Sequence, residues 1–113
     1  MALPARGEIW QADLNPTRGR EQRGRRPVLI VSTDMFSQGP SELVVVLPVT
    51  SKDKRIPWHV EIDPPEGGVK TTSHIMCEAI RSISRDRLIK RWGTISHDSI
   101  AEVERRLRLL LEV

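Results

Sequence analysis

Residues 18 to 27 read RGREQRGRRP, and five of these ten side chains are guanidinium groups: Arg18, Arg20, Arg23, Arg25 and Arg26. Each guanidinium is a planar fork of donors that fits phosphate oxygens and keeps its charge at any working pH. Such a density of forks on one short segment is chemistry for gripping a polyanion. Gly19 and Gly24 allow the backbone to approach a ligand closely, and Pro27 marks where the loop ends and a strand begins. Glu21, the only carboxylate of the run, reads either as a proton acceptor or as an ion-pair partner that orders the arginines. A solvated, solubilising face is the competing account of the same residues.

Other residues with chemical potential are weaker. His59, His74 and His97 could supply a histidine pair for general acid–base work. However, His59 alternates with Trp58 and Val60 in a strand, His74 begins another strand and His97 opens a helix, so each has an ordinary structural explanation. Glu61 and Asp63 share a strand face without a further carboxylate or histidine to complete a metal site. Trp10, Trp58 and Trp92 could stack on unpaired bases, with core packing as the favoured reading. Cys77, amid apolar neighbours, reads as a small buried residue. With one cysteine there is no internal disulfide and no zinc signature. The sequence calls for no metal and no cofactor.

The elements that must position these residues follow from hydrophobic periodicity. Residues 7 to 13 (GEIWQAD) form a short strand ended by Asn15-Pro16. Residues 27 to 33 (PVLIVST) form an apolar strand whose continuity predicts burial on both faces. After a loop at 34 to 42, residues 43 to 51 (LVVVLPVTS) form a second buried strand, where Pro48 demands an edge or a bulge because it cannot donate to a ladder. Residues 58 to 63 (WHVEID) alternate as a strand closed by Pro64-Pro65 and Gly67-Gly68. Residues 73 to 83 are read as one strand, with Ser84 capping a short helix in SRDRLIK, and residues 91 to 96 (RWGTIS) as a further strand. From 97 to 112, Ile100, Val103, Leu107, Leu110 and Leu111 recur at helical spacing, and Ser96 or Ser99 can cap that helix. Many short strands with one C-terminal helix give a mainly β, α+β architecture: a small, strongly bent, SH3-like barrel.

At 113 residues the chain fits a single domain, 1–113. Its apolar share of 38% is modest, so a partner subunit could complete a buried face. Lysine and arginine total 18 against 15 acids, a formal +3, and the positive charge concentrates in 18–26 and 81–91. That leaves one basic side suited to nucleic acid. The N-terminus lacks a secretion signal, and no stretch is apolar for long enough to cross a bilayer, so a cytoplasmic location without membrane insertion is expected.

The order RGEIWQADLNPTRGREQRGRRPVLIVSTD, LPVTS, PWHVEI, CEAIRSISRDRL and the final helix resembles the MazF/PemK family of toxin endoribonucleases over nearly the whole chain. The most specific pieces are GREQRGRRPVLIVS and the pair Thr50-Ser51. The resemblance implies a CcdB-like barrel that forms a homodimer and cuts single-stranded RNA without metal. Attack by the 2′-hydroxyl would leave a 2′,3′-cyclic phosphate and a 5′-hydroxyl. The family's catalytic arginine falls on Arg26 and its threonine on Thr50, with Glu21 as a candidate proton acceptor. Arg18, Arg20, Gln22, Arg23, Thr33, Ser51 and Arg81 fall at RNA-binding positions. Ala79 and Thr33 stand where related chains often carry glutamine and asparagine, so base reading is expected to differ. The resemblance also implies a MazE-like antitoxin whose acidic tail competes with RNA. Two other readings use the same fold: a CcdB-like gyrase poison, and a binding module without catalysis.

Overall fold

Alternation along the first strand, β1 (Glu8–Asp13), sends Ile9 to one side of a sheet and Trp10 and Ala12 to the other, with all three buried. The computed structural model describes residues 3–15 and 24–113. Within them the order is β1, β2 (Arg25–Ile30), a one-turn helix α1 (Asp34–Ser37), β3 (Leu43–Thr50), β4 (His59–Ile62), β5 (Ser73–Met76), β6 (Arg81–Ser84), β7 (Leu88–Thr94) and α2 (His97–Leu111). All pairings are antiparallel, in the spatial order β4-β5-β3-β2-β1-β7, and β6 also pairs with β3. The result is a bent, barrel-like sheet that stays open between β4 and β7.

β2 and β3 are buried on both faces, as their continuous apolar sequences require. Leu29, Leu47 and Val49 join Ile9, Val60, Ile62, Ile75 and Val103 in one core. Val28, Ile30, Val44 and Val46 join Trp10, Leu14, Ile83 and Leu88 in a second core on the opposite face. The C-terminal helix covers the first of these with Val103, Ile100 and Leu107. Its start is capped by Ser96, whose side chain accepts from Ser99 N, so Ser96 and not Ser99 is the cap.

Four local expectations are corrected. The segment 73–83 is two strands separated by a 3₁₀ turn, Cys77–Ala79. On β3, Val46 faces Arg81 and Val49 faces Ile75, so the turn is accommodated opposite Leu47 and Pro48. Pro48 therefore falls where β3 changes partners, which is how a central strand tolerates a residue without an N–H. Ser84 makes no side-chain cap, and SRDRLIK is a 3₁₀ turn, Arg85–Arg87, running straight into β7. Its β-branched and aromatic neighbours and the pairing to β1 outweigh the short helical pattern. Finally, β2 ends at Ile30, and the loop at 34 to 42 contains α1.

The close of the β4–β5 connection depends on two glycines. Gly67 and Gly68 have φ of +63° and +76°, and a Cβ on Gly68 would stand 2.3 Å from the Trp92 carbonyl oxygen. The turn thus packs backbone to backbone on Trp92 and Gly93 of β7, fixing where Val69, Lys70 and Thr71 stand.

Candidate nucleic-acid interface and active site

The β2–β3 register pairs Val28 with Pro48 and Leu29 with Leu47. Continuing it by about two residues sets Arg26 across from Thr50, although they are far apart in sequence. Both residues, with Ser51, line a cleft of about 240 Å³ at the rim of the sheet. Arg25, Lys70, Thr71, Ser73 and Trp92 complete its polar and aromatic walls, and Pro27, Val49 and Val69 its apolar base. Three cations, four hydroxyls and an indole meet there, and none of the lining residues among those described is an acid. Such a lining attracts anions, with rigid donors supplied by strands.

Thr50 is buried, and its Oγ1 accepts from Lys52 N at 3.2 Å, which leaves the hydroxyl hydrogen to be donated. Arg26 is half-buried at the start of β2, where it pairs with Ala12 of β1. The base of the connection between β1 and β2 is tied by Leu14 N to Gly24 O at 2.9 Å and Gly24 N to Asn15 Oδ1 at 3.1 Å. Arg87, on the 3₁₀ turn before β7, donates to the carbonyls of Asp13 and Asn15 and so holds the same base from the side.

Of the residues singled out in the sequence, the structure brings together Arg25, Arg26, Thr50 and Ser51. Arg18, Arg20, Glu21, Gln22 and Arg23 lie outside the described residues. Thr33 is exposed beyond the far end of β2, where its Oγ1 caps α1 by accepting from Phe36 N at 3.4 Å. Arg81 opens β6 opposite Val46, away from the cleft lining. Ala79 ends the 3₁₀ turn. Lys70, Ser73 and Trp92 reach the cleft without having been marked out as site residues; Trp92 had carried only a general stacking alternative. Neither periodicity nor composition could indicate that these positions converge.

The residues given structural readings divide. Cys77 is fully buried, and burial pushes its thiol up to about 11, with the Arg106 charge opposing and that of Glu78 adding to the rise. Trp10 is core, whereas Trp92 is only partly buried. His59 is buried with Nε2 at 2.9 Å from Glu78 Oε2. His74 is buried in β5 directly across from Thr50.

The fold is that of a small, bent, antiparallel β protein, and its cleft at the sheet rim is cationic and suited to anionic ligands. The family model for the PemK-like, MazF-like toxins of type II toxin-antitoxin systems matches residues 5–111, and the chain belongs to that family. It is similar to the endoribonuclease MazF9 of Mycobacterium tuberculosis, 34% identical over 96% of each chain. It is also similar in structure to MazF of Deinococcus radiodurans, with a TM-score of 0.88 at 30% identity and all of both chains covered. A MazE–MazF complex from the same organism matches with a TM-score of 0.82 at 30% identity, over 100% of this chain and 99% of that one.

Proposed function

We propose that this toxin is an endoribonuclease that cuts single-stranded RNA at short sequences, without a metal ion, by attack of a 2′-hydroxyl on the adjacent phosphate. The products are a 2′,3′-cyclic phosphate and a 5′-hydroxyl. The observation that carries this reading is the convergence of Arg26 and Thr50 from neighbouring strands on one cationic cleft. Arg26 opposes the charge that grows on the phosphorane oxygens, a role that suits a group too basic to accept protons. Thr50 donates its free hydrogen to a non-bridging oxygen or orients the attacking hydroxyl. Ser51, Arg25 and Lys70 hold the neighbouring phosphates, joined by Arg18, Arg20, Gln22, Arg23, Thr33 and Arg81 along the strand. Glu21 orders the arginines of its segment or takes a proton from the substrate.

The same donors would accept the carboxylates of a MazE-like antitoxin tail, so inhibitor and RNA compete for one surface. The structural similarity to a MazF that is bound by MazE supports this partner. The working unit is a homodimer, and its place is the cytoplasm, where mRNA is within reach. Cutting mRNA there stops translation and growth. No helix among the described residues is long and apolar enough to cross a membrane.

Incubating the purified protein with a long mixed-sequence RNA in EDTA, and mapping the new ends, tests the reading. Discrete cuts with 5′-hydroxyl ends are expected. Arg26→Ala should slow cleavage by about 10²-fold or more. Thr50→Val should slow it by at least about tenfold. Absence of cutting by folded wild type would refute the nuclease.

A further inference from the structure

Trp92 of β7 lines the same cleft as Arg26 and Thr50. In the pairing of β7 with β1, Ile9 faces Gly93 and Trp10 faces Arg91, so Trp92 is the extra residue of a β-bulge. A bulge takes its unpaired residue out of the regular alternation, and this is one way a strand re-aims a side chain toward a site. The backbone here is clamped. A Cβ on Gly68 would stand 2.3 Å from the Trp92 carbonyl oxygen and 3.0 Å from the Trp92 Cβ, and a Cβ on Gly93 would stand 2.8 Å from the Gly67 carbonyl carbon. The direction in which the indole leaves the strand is thereby fixed, with only two side-chain torsions left to set.

Trp10 and Trp92 differ in their surroundings. Trp10 is 3% exposed and donates from Nε1 to Glu8 Oε1 at 3.0 Å, which makes it wholly a core residue. Trp92 is only half-buried: it packs against the core that holds Ile9, Val69 and Ile95, and it also lines the cleft with Arg26, Thr50 and Lys70. A ring supported on one side and open to a cationic cleft on the other offers an unpaired base a stacking surface, while the cations hold the phosphates beside that base. The remaining polar side chains of the lining, Ser51, Thr71 and Ser73, are hydroxyls. Hydroxyls rotate to donate or accept as required, so they do not tell one base edge from another.

Resting on the nuclease reading above, we propose that Trp92 is the stacking platform for the base of a nucleotide joined to the scissile phosphate, at a subsite that takes any of the four bases. Arg26 and Thr50 hold the phosphate, and the stacked base stops its nucleotide from turning about the backbone. The attacking oxygen, the phosphorus and the leaving oxygen are then kept in line. Trp92 touches the base and not the reacting atoms, so its contribution is to binding and alignment. Discrimination among bases falls to other positions of the strand.

The test measures kcat and KM for wild type, Trp92→Phe and Trp92→Leu on an RNA with one mapped cut site, and on RNAs lacking the base on either side of that cut. Trp92→Leu keeps an apolar group against the core and should lower kcat/KM by about 5- to 100-fold, the range of one base–aromatic contact. Trp92→Phe, which keeps a ring, should recover most of that loss. On one of the two base-less RNAs, wild type should fall to the level of Trp92→Leu. Exchanging the same base for any of the other three should cost less than removing it. A tryptophan that only caps the core would lower stability and leave KM unmoved. Fluorescence decides the matter if Trp92→Leu fails to fold, using Trp58→Phe, whose indoles are Trp10 and Trp92. An RNA with a 2′-deoxy nucleotide at the attacking position cannot be cut and should quench the emission, and the same RNA without both flanking bases should not. Wild-type kcat/KM in Trp92→Leu overturns the proposal, as does a Trp92→Leu deficit that persists on both base-less RNAs, or the lack of quenching. Preference for one base at that position as strong as the loss on removing it overturns the tolerant subsite. A wild type that is quenched by RNA but cuts none overturns the nuclease reading and supports the platform. Active wild type with an indifferent Trp92→Leu overturns the platform alone.

Discussion

At the scale of single residues, the cleft takes its donors from side chains held largely by strands. Thr50 accepts from Lys52 N and therefore presents a hydrogen outward, while Arg26 enters from a strand end that is paired on β1. Cys77 illustrates the opposite case, a reactive residue type made inert by its place. Buried in the turn that separates β5 from β6, its thiol is pushed up to about 11, so almost no thiolate exists at neutral pH. A disulfide exchange reagent at pH 7.5 should therefore leave Cys77 unlabelled in the native protein and label it fully after unfolding. Rapid labelling of the native protein would contradict the burial. The buried reading of Cys77 was legible in its apolar neighbours. The setting of His74 was not, because its sequence surroundings describe only a strand start, and its neighbours in space come from two other strands.

At the scale of elements, two backbone devices decide where the cleft walls stand. The first is the three-residue turn Cys77–Ala79, which lets one run of chain pair with β3 twice, on either side of Pro48. Alternation of apolar residues in 73 to 83 fits a single strand, and only the partner change on β3 explains the break. The second device is the Gly67–Gly68 turn on Trp92 and Gly93. Gly68→Ala would combine a left-handed φ of +76° with a Cβ 2.3 Å from a backbone oxygen that cannot swing aside. It should cost at least about 2 kcal/mol in chemical denaturation and displace the Lys70 wall, raising KM for RNA. A Gly68→Ala protein with unchanged stability would show that the turn has slack. The Gly-Gly pair itself announced a tight loop, although the surface it packs on was not visible from it.

At the scale of the whole molecule, β7 is the edge of the sheet, and Glu8 fastens it to β1. Glu8 accepts from Arg91 Nε at 2.6 Å, from Ala5 N at 2.8 Å and from Trp10 Nε1 at 3.0 Å. Burial pushes the Glu8 carboxyl up, and these three donors with the Arg91 charge more than offset it, so the group lies below the usual carboxylate range. A carboxyl lowered on folding adds stability above its unfolded titration range, and this is lost as pH falls through the folded value. Glu8→Gln should therefore lower stability at neutral pH and flatten its decline between about pH 5 and pH 3, as read from denaturation midpoints. An identical slope in both proteins would remove Glu8 from the acid response.

The sequence alone determined the β-rich class, the two doubly buried strands, the C-terminal helix and the cationic segment. Local rules decide each of these: apolar periodicity, turn residues, capping and charge. The pairing of strands is a long-range event that no local rule encodes. Tertiary structure alone decided that β3 would carry β2 on one side and β5 with β6 on the other. That register brings Arg26 and Thr50 into one row, and it brings Lys70 and Trp92 to the cleft beside it. In a sheet a shift of one residue would turn each strand side chain of that row to the opposite face, so the site exists only because burial on both sides of β2 and β3 holds their register.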